Sequence, residues 1–191
     1  SEKSLEVQRQ VVIEEFKQNY LNQPYGDTSL LIRELAYKKH PYRWATIGKE
    51  IEHIENATMD DVKSFFYKHY APNNCILTIS GDFDEDDVKA MIDKYFGDIP
   101  NREIAQRNLP TEPKQTEARF LEVERNVPAH MLYKAYHMVG KHHEDYPVCD
   151  LISDILSRGE ASVLNMELVK NQNIFSQIDA YVGGSDDPGL F

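Results

Sequence analysis

Residues 72–84 read PNNCILTISGDFD, and this run sets the expected architecture of the first half of the chain. Positions 75–79 are almost continuously apolar and follow two asparagines, which is typical of a short strand buried on both faces. Gly81 and Asp82 then turn the chain, and Asp84 is suited to cap a helix. We therefore expect a strand that leads directly into a helix.

Helix-period patterns surround this strand and return later in the sequence. We expect helices over 2–21, from about 27 to a stop before Pro41, from Thr46 through Ile54, from Thr58 to a stop before Pro72, over 84–97, at about 144–157 and at about 161–171. Thr58 is followed three residues later by Asp61, as in a capping box. The first half therefore reads α-α-α-α-β-α.

The middle of the chain has a different composition. Residues 101–117 contain two prolines and no apolar period, which indicates a linker. After it, 118–124, 131–138 and 174–182 are strand candidates. We predict an α+β fold of two units, residues 1–100 and residues 118–191, with each unit carrying its own sheet and the second one truncated.

Composition excludes some classes of partner. The 191 residues carry 32 acidic and 21 basic side chains, a formal net charge of −11. This balance argues against a nucleic-acid or anionic-membrane partner. No apolar run approaches the roughly 20 residues of a membrane span, and the start has no apolar signal-peptide core, so we expect a soluble chain. Two cysteines leave the compartment open, whether cytoplasmic, periplasmic or secreted.

The two ends predict a fragment of a longer protein. The first residue is Ser rather than Met, a helical pattern begins almost at once, and the sequence stops just as a new apolar segment starts. No self-contained catalytic motif is present: the chain has no Gly-rich phosphate loop, nucleophile elbow, Cys-x-x-Cys or His-Glu-x-x-His. We therefore place no catalytic residue in this chain.

Two acidic residues in the first helix differ in their predicted direction. The apolar stripe of this helix centres near Phe16. At about 100° per residue, Glu14 then points away to solvent, whereas Glu15 lies on the flank of the stripe, in line with Gln8. Only Glu15 is placed to enter a semi-buried site, although a glutamate on a helix flank is usually a solvated surface group.

Histidines form the other candidates. His142 and His143 precede two acidic residues, a ligand set suited to zinc, but adjacent side chains diverge on helix and strand alike. The alternative is that the acids begin the next helix and the histidines are hydrated. His40, His53 and His69 are interpreted as structural.

An ordered series of motifs resembles the insulinase-like zinc peptidases, the relatives of pitrilysin and of the mitochondrial processing peptidase. The series comprises HPY at 40–42, IG at 47–48, TMDDV at 58–62, FFY at 65–67, YAPNN at 70–74, SGDFD at 80–84 and YFGDIP at 95–100. It continues through 131–136, 146–156, SRGEAS at 157–162, ELV at 167–169 and DPG at 187–189. The segment VVIEEF at 11–16 resembles the family helix that supplies a glutamate zinc ligand.

The resemblance implies paired α+β domains, each an antiparallel sheet covered by helices, both truncated here. It implies that Glu15 is the third zinc ligand of the parent protein. It also implies that the two histidine ligands and the general base belong to a His-x-x-Glu-His motif several dozen residues upstream, outside this chain. Gln8 stands where many relatives carry a supporting acid.

The expected function is therefore that of a fragment of a zinc-dependent metalloendopeptidase, which cleaves peptide bonds with a zinc-activated water. The fragment alone should be inactive and should hold no zinc stably, since one carboxylate is too few ligands. Expected partners are peptide substrates, and a second peptidase-like chain is a further candidate. The alternative is a non-catalytic family member that acts as a scaffold or binding partner of an active paralogue.

Overall fold

The structure is a computed structural model that describes residues 1–191, and its regular elements are helices. The α-helices are α1 Glu2–Phe16, α2 Thr28–Ala36, α3 Ile51–Glu55, α4 Met59–His69, α5 Glu85–Phe96 and α6 Tyr146–Ser157. Lys17–Leu21 and Asn165–Asn171 form π-helical segments, and Pro41–Arg43 and Pro72–Asn74 form 3-10 turns. None of the helices combines the length and the apolar character needed to cross a bilayer.

The helix starts follow the capping rules. Thr58 accepts a hydrogen bond from the Asp61 amide at 3.2 Å, and Asp61 accepts one from the Thr58 amide at 2.8 Å, so the predicted capping box of α4 is confirmed. Asp84 accepts from the amides of Asp86 and Asp87 and begins α5. Both helices also carry acids in the first turn, where the helix dipole favours them.

The chain divides into two compact units. Unit 1 comprises Ser1–Gly26 and Lys39–Glu112, and unit 2 comprises Asp27–Lys38 and Pro113–Phe191. The segment that contains α2 therefore belongs to unit 2, although the residues on either side of it belong to unit 1. The predicted domain boundaries, 1–100 and 118–191 with a linker between them, remain a prediction.

Unit 1 is organised around the first helix. Ile13 and Phe16 are each 4% exposed and form the buried face of α1. Arg9 donates to the Ala57 carbonyl at 2.6 Å, which ties α1 to the junction of α3 and α4. Arg102 donates to the carbonyls of Tyr67 and Tyr70 and so stabilises the C-terminal end of α4.

Unit 2 combines α2, α6 and the C-terminal residues. Tyr37, just after α2, is 3% exposed, and its hydroxyl donates to the Pro188 carbonyl at 3.1 Å. Tyr136 and Phe191 exchange backbone hydrogen bonds of 3.0 and 2.8 Å. Gly183 donates to the Leu190 carbonyl at 2.7 Å, so the last residues lie between two other segments of unit 2.

The prediction of two antiparallel sheets covered by helices is wrong. Strand pairing is limited to three isolated bridges, Ala45 with Gly48, His137 with Leu190, and Gly183 with Leu190. The run 75–79 and the candidates 118–124, 131–138 and 174–182 form no ladder. A strand needs a partner for its backbone groups, and here those groups find none beyond single bridges, while Ile76 is 94% exposed.

One further local expectation differs from the structure. The short helix expected from Thr46 begins only at Ile51, because Ala45 and Gly48 close a tight bridge and Gly48 has φ 125°, which ends any helical run. Apolar side chains in α4 and at its C-cap are exposed, with Phe65 60% and Tyr70 63% exposed.

Candidate functional site

The candidate site is built on α1. Ser1 caps this helix by accepting from the Ser4 amide at 3.2 Å. The buried side chains Ile13 and Phe16 fix which side of the helix faces the interior of unit 1. Phe16 also contacts Tyr20, with ring centroids 5.3 Å apart. The rotational position of every other side chain on α1 follows from these anchors.

Glu14 and Glu15 are adjacent but differ in their contacts. Glu14 accepts a hydrogen bond from the Gln18 side chain at 3.2 Å, one turn further on. Both side chains are exposed, and Glu15 makes no side-chain hydrogen bond or ion pair within the chain. Its carboxylate is therefore free to accept an outside ligand, whereas that of Glu14 is already engaged.

The backbone changes directly after Phe16, the residue that follows Glu15. Residues Lys17–Leu21 are π-helical, and the Asn22 amide donates to the Lys17 carbonyl at 2.8 Å. Single π-helical turns inside α-helices occur frequently at functional sites. Nothing in the sequence pattern indicated this change, because apolar periodicity does not distinguish an α-turn from a π-turn.

Gln8 lies seven residues before Glu15, so the two share one side of α1. It is exposed and neutral, and it cannot supply the charge of a supporting acid. No three His, Cys, Asp or Glu side chains in the chain come together in a group that could hold a metal ion. Glu15 can provide one anionic oxygen ligand, and the remaining ligands of a zinc site have to come from elsewhere.

The paired histidines turn to different carboxylates. His142 Nε2 lies 3.5 Å from Asp186, whereas His143 Nδ1 lies 3.7 Å from Asp145 and accepts from the Asp145 amide at 3.1 Å. These side chains are largely exposed, and α6 begins at the next residue, Tyr146. The arrangement matches the interpretation of hydrated histidines ahead of a helix.

Of the three histidines interpreted as structural, His40 and His69 have contacts that fit this role. His40 is 4% exposed and caps the 3-10 turn Pro41–Arg43 by accepting from the Tyr42 amide. His69 lies in the last turn of α4, where its ring is 4.6 Å from that of Phe65. His53 lies in α3 and is exposed.

Unit 1 has a cavity of about 430 Å³ at the start of α1. It is lined by Glu2, Leu5, Glu6, Arg9, Glu55, Asn56, Ala57, Thr58 and Met59. Glu15 does not line it, because it lies at the opposite end of the same helix. The cavity wall is mixed in charge and holds no convergent set of catalytic groups.

Unit 2 contains one pair of groups that the sequence did not reveal. The hydroxyls of Tyr133 and Tyr181 are hydrogen-bonded to each other, 48 residues apart in the chain. Burial, and then the contact with Tyr181, raise the pKa of Tyr133 well above its ordinary value.

Comparison with known families places most of the chain in one of them. A family described as the peptidase M16 inactive domain matches residues 56–191. The chain is 31% identical over 189 residues to the zinc protease PqqE of Helicobacter pylori. This alignment covers 96% of this chain and 42% of that protein. The chain is 24% identical over 120 residues to the mitochondrial-processing peptidase subunit beta of Caenorhabditis elegans, covering 61% of this chain and 25% of that protein.

Two solved structures share the fold of this chain. A protease from Helicobacter pylori superposes with a TM-score of 0.80 at 30% identity, covering all of this chain and 47% of the other. The peptidase M16 inactive domain from Pseudomonas fluorescens superposes with a TM-score of 0.71 at 20% identity, covering all of this chain and 46% of the other. The chain thus spans about half the length of these relatives.

Proposed function

Because this chain belongs to the peptidase M16 family, as its resemblance to the insulinase-like peptidases predicted, we propose that it is part of a zinc metallopeptidase in which Glu15 is a zinc ligand. The observation that carries the proposal is the unengaged carboxylate of Glu15, beside a neighbouring acid that is already hydrogen-bonded. The relatives named as zinc protease and processing peptidase support the reaction class.

The part of Glu15 in this chemistry is to hold and to tune the metal. Zinc bound by three protein ligands with one open position polarises a peptide carbonyl and lowers the pKa of a bound water. Glu15 would supply the anionic oxygen of that ligand set. Ile13 and Phe16, buried within two residues of it, hold the helix so that this oxygen is presented from a fixed position.

The rest of the ligand set would be two histidines outside this chain, in a His-x-x-Glu-His motif whose glutamate would act as the general base and not as a ligand. A single carboxylate binds zinc weakly, so the chain by itself would not hydrolyse peptides. The family matched by residues 56–191 is described as an inactive domain, which supports the proposal that this chain by itself does not hydrolyse peptides. The proposed substrates are peptides, and a second peptidase-like chain is the proposed partner.

The second candidate is a non-catalytic family member that binds or supports an active paralogue. Gln8, neutral where a supporting acid stands in many relatives, favours this reading. The two functions differ in the upstream sequence of the parent protein, where an intact His-x-x-Glu-His motif supports the enzyme and its absence supports the scaffold.

The test uses the full-length parent and two matched substitutions on adjacent residues. Glu15→Gln removes the charge of the proposed ligand, and peptide hydrolysis should fall by at least about 10–100-fold, as happens when even the groups that orient metal ligands are lost. Glu14→Gln should remain near wild type. Equal losses in the two variants would contradict the ligand assignment.

A further inference from the structure

Helix α1 is tied to another part of unit 1 by one arginine. The Nη2 of Arg9 donates to the Ala57 carbonyl, 48 residues further along the chain, at 2.6 Å. Its Nη1 donates to Glu6, one turn back on the same helix, at 2.9 Å. The other side-chain hydrogen bonds of α1 join residues three or four positions apart. Arg9 therefore makes the hydrogen bond that links α1 to a different segment.

The Ala57 carbonyl is a firmly held acceptor. Ala57 lies between Asn56, the C-cap of α3, and Thr58, the N-cap of α4. The Asn56 amide donates to the Glu52 carbonyl at 3.0 Å, and the capping box of Thr58 and Asp61 closes the start of α4. A carbonyl between two closed helix ends has little freedom to follow a moving donor. The bond from Arg9 therefore fixes α1 relative to both of these helices.

Arg9 is buried in a way that does not favour stability alone. Its side chain is 19% exposed, and its Nε is buried without a hydrogen-bond partner. A buried donor without a partner is unfavourable, and an apolar side chain of similar shape would avoid that cost. An apolar side chain could not, however, make a bond of defined length and direction. The observed contacts point to a role in geometry.

The buried face of α1 by itself leaves small rotations of the helix open. Ile13 and Phe16 determine which side of α1 is inside, but apolar burial is non-directional. Side chains reach about 5–6 Å from the helix axis, so a rotation of about 10° moves a terminal carboxylate by about 1 Å. The hydrogen bond from Arg9 to Ala57 weakens steeply when its angle changes. It therefore limits the rotations that apolar burial permits.

Arg9 and Glu15 belong to the same unbroken helix within unit 1. Helix α1 runs from Glu2 to Phe16, and the six residues from Arg9 to Glu15 correspond to about 9 Å along its axis. Backbone hydrogen bonds connect every turn between them, so a rotation of the helix at Arg9 is also a rotation at Glu15. The guanidinium turns back towards Glu6, away from Glu15. Arg9 thus acts on Glu15 through the helix and not by contact.

We propose that Arg9 is a positioning residue for the proposed zinc ligand: its bond to Ala57 sets the rotation of α1 and thereby the direction of the Glu15 carboxylate. The inference rests on the proposed function, since the direction of Glu15 matters for catalysis only if it binds zinc. Zinc–oxygen distances are about 2.0–2.2 Å. A carboxylate displaced by about 1 Å therefore cannot complete a ligand set whose other members are fixed elsewhere.

The experiment compares variants of the full-length parent. Arg9→Met keeps a long unbranched side chain and removes every donor, whereas Arg9→Lys keeps the charge and a donor group. The matched control, Lys89→Ala, removes an exposed basic side chain of unit 1 whose ion pairs stay within α5. Zinc affinity is measured by competition with a chelator, and kcat is measured at saturating zinc, below the unfolding transition. Arg9→Met is also measured in a Glu15→Gln background.

We expect Arg9→Met to weaken zinc binding and lower kcat by about 10–100-fold, the loss that follows when groups that orient metal ligands are removed. Arg9→Lys should lose less, and Lys89→Ala should match wild type. In the Glu15→Gln background, Arg9→Met should cause no further loss of zinc affinity. Two residues that act through one another are not additive, and this coupling is what a purely stabilising arginine would lack.

The contrary results are distinct. Unchanged zinc affinity in Arg9→Met, even with a lowered Tm, would make Arg9 purely structural and overturn the positioning role. An equal loss with and without Glu15 would overturn it as well, because Arg9 would then act by another route. Should Arg9→Met not fold, the smaller loss in Arg9→Lys must vanish in the Glu15→Gln background. Unchanged zinc affinity in Glu15→Gln itself would overturn the proposed function, and the positioning role with it.

Discussion

Replacing Phe16 with alanine tests which face of α1 is buried and therefore where Glu15 points. Phe16 is 4% exposed and lies against Tyr20, with 5.3 Å between the ring centroids. Truncating a buried phenylalanine costs about 3–5 kcal/mol. Tyr20 is only partly buried, so water and side chains can partly refill the space, and we expect a loss near the lower end, about 3 kcal/mol.

The assay is urea and thermal unfolding followed by circular dichroism. For a chain of this size, a loss of about 3 kcal/mol lowers Tm by about 6–12 °C. The matched control is Val11→Ala on the same helix, where the side chain is 54% exposed and the change should stay within about 0.5 kcal/mol. Equal losses in the two variants would refute the orientation of α1 and, with it, the geometric distinction between Glu14 and Glu15.

Three further predictions concern the cap of α4, its pH dependence and zinc binding. Thr58→Ala should lower the free energy of unfolding by about 1 kcal/mol, and Thr58→Ser should stay near wild type, as measured by urea unfolding. Hydrogen bonds from the side chain and then the backbone of Thr58 lower the pKa of Asp61 in the folded chain. The ionised Asp61 carboxylate therefore stabilises the fold fully above the ordinary aspartate pKa, and this stabilisation is lost as the pH falls through the lowered pKa of the folded state. Helix content measured from pH 6 to 2 should show this loss, and Asp61→Asn should remove that component. Titration calorimetry of the chain with zinc should show no tight stoichiometric site, and a tight site abolished by His142→Ala and His143→Ala would contradict the choice of Glu15.

The helix starts were predictable because their signals are local. Thr58 and Asp84 are followed within three residues by the groups they bond. Pro41 sets only an upper limit for α2, because it restricts the backbone of His40, and the helix already ends at Ala36. The apolar period of residues 2–21 and of 144–157 likewise corresponds to helices. The change to π-helical geometry at Lys17–Leu21 left no mark on this period.

The absence of sheets could not be predicted by the same means, because strand pairing is a property of two segments. The run at 75–79 indicates an apolar, extended piece of chain, but nothing within it specifies a partner for its backbone groups. The contacts of Arg119 are equally non-local, since it donates to the carbonyls of Leu35 and Ala36, which lie 84 and 83 residues earlier in the chain. A basic side chain is favourable near the C-terminal end of a helix, but the sequence does not indicate which helix Arg119 would contact.

The candidate site was also only partly predictable from local sequence. Helical spacing alone separated Glu15 from Glu14, and the hydrogen bond from Gln18 to Glu14 adds a physical difference between them. The role of Glu15 as a zinc ligand came from the family resemblance and remains a proposal.

The most direct measurement is a crystal structure of the full-length parent with zinc, with the metal located by anomalous scattering at the zinc absorption edge. The proposal predicts a zinc peak about 2.0–2.2 Å from a carboxylate oxygen of Glu15, with two imidazole nitrogens completing the protein ligands. A zinc peak bound by His142 or His143, or one bound by three ligands that exclude Glu15, would contradict it.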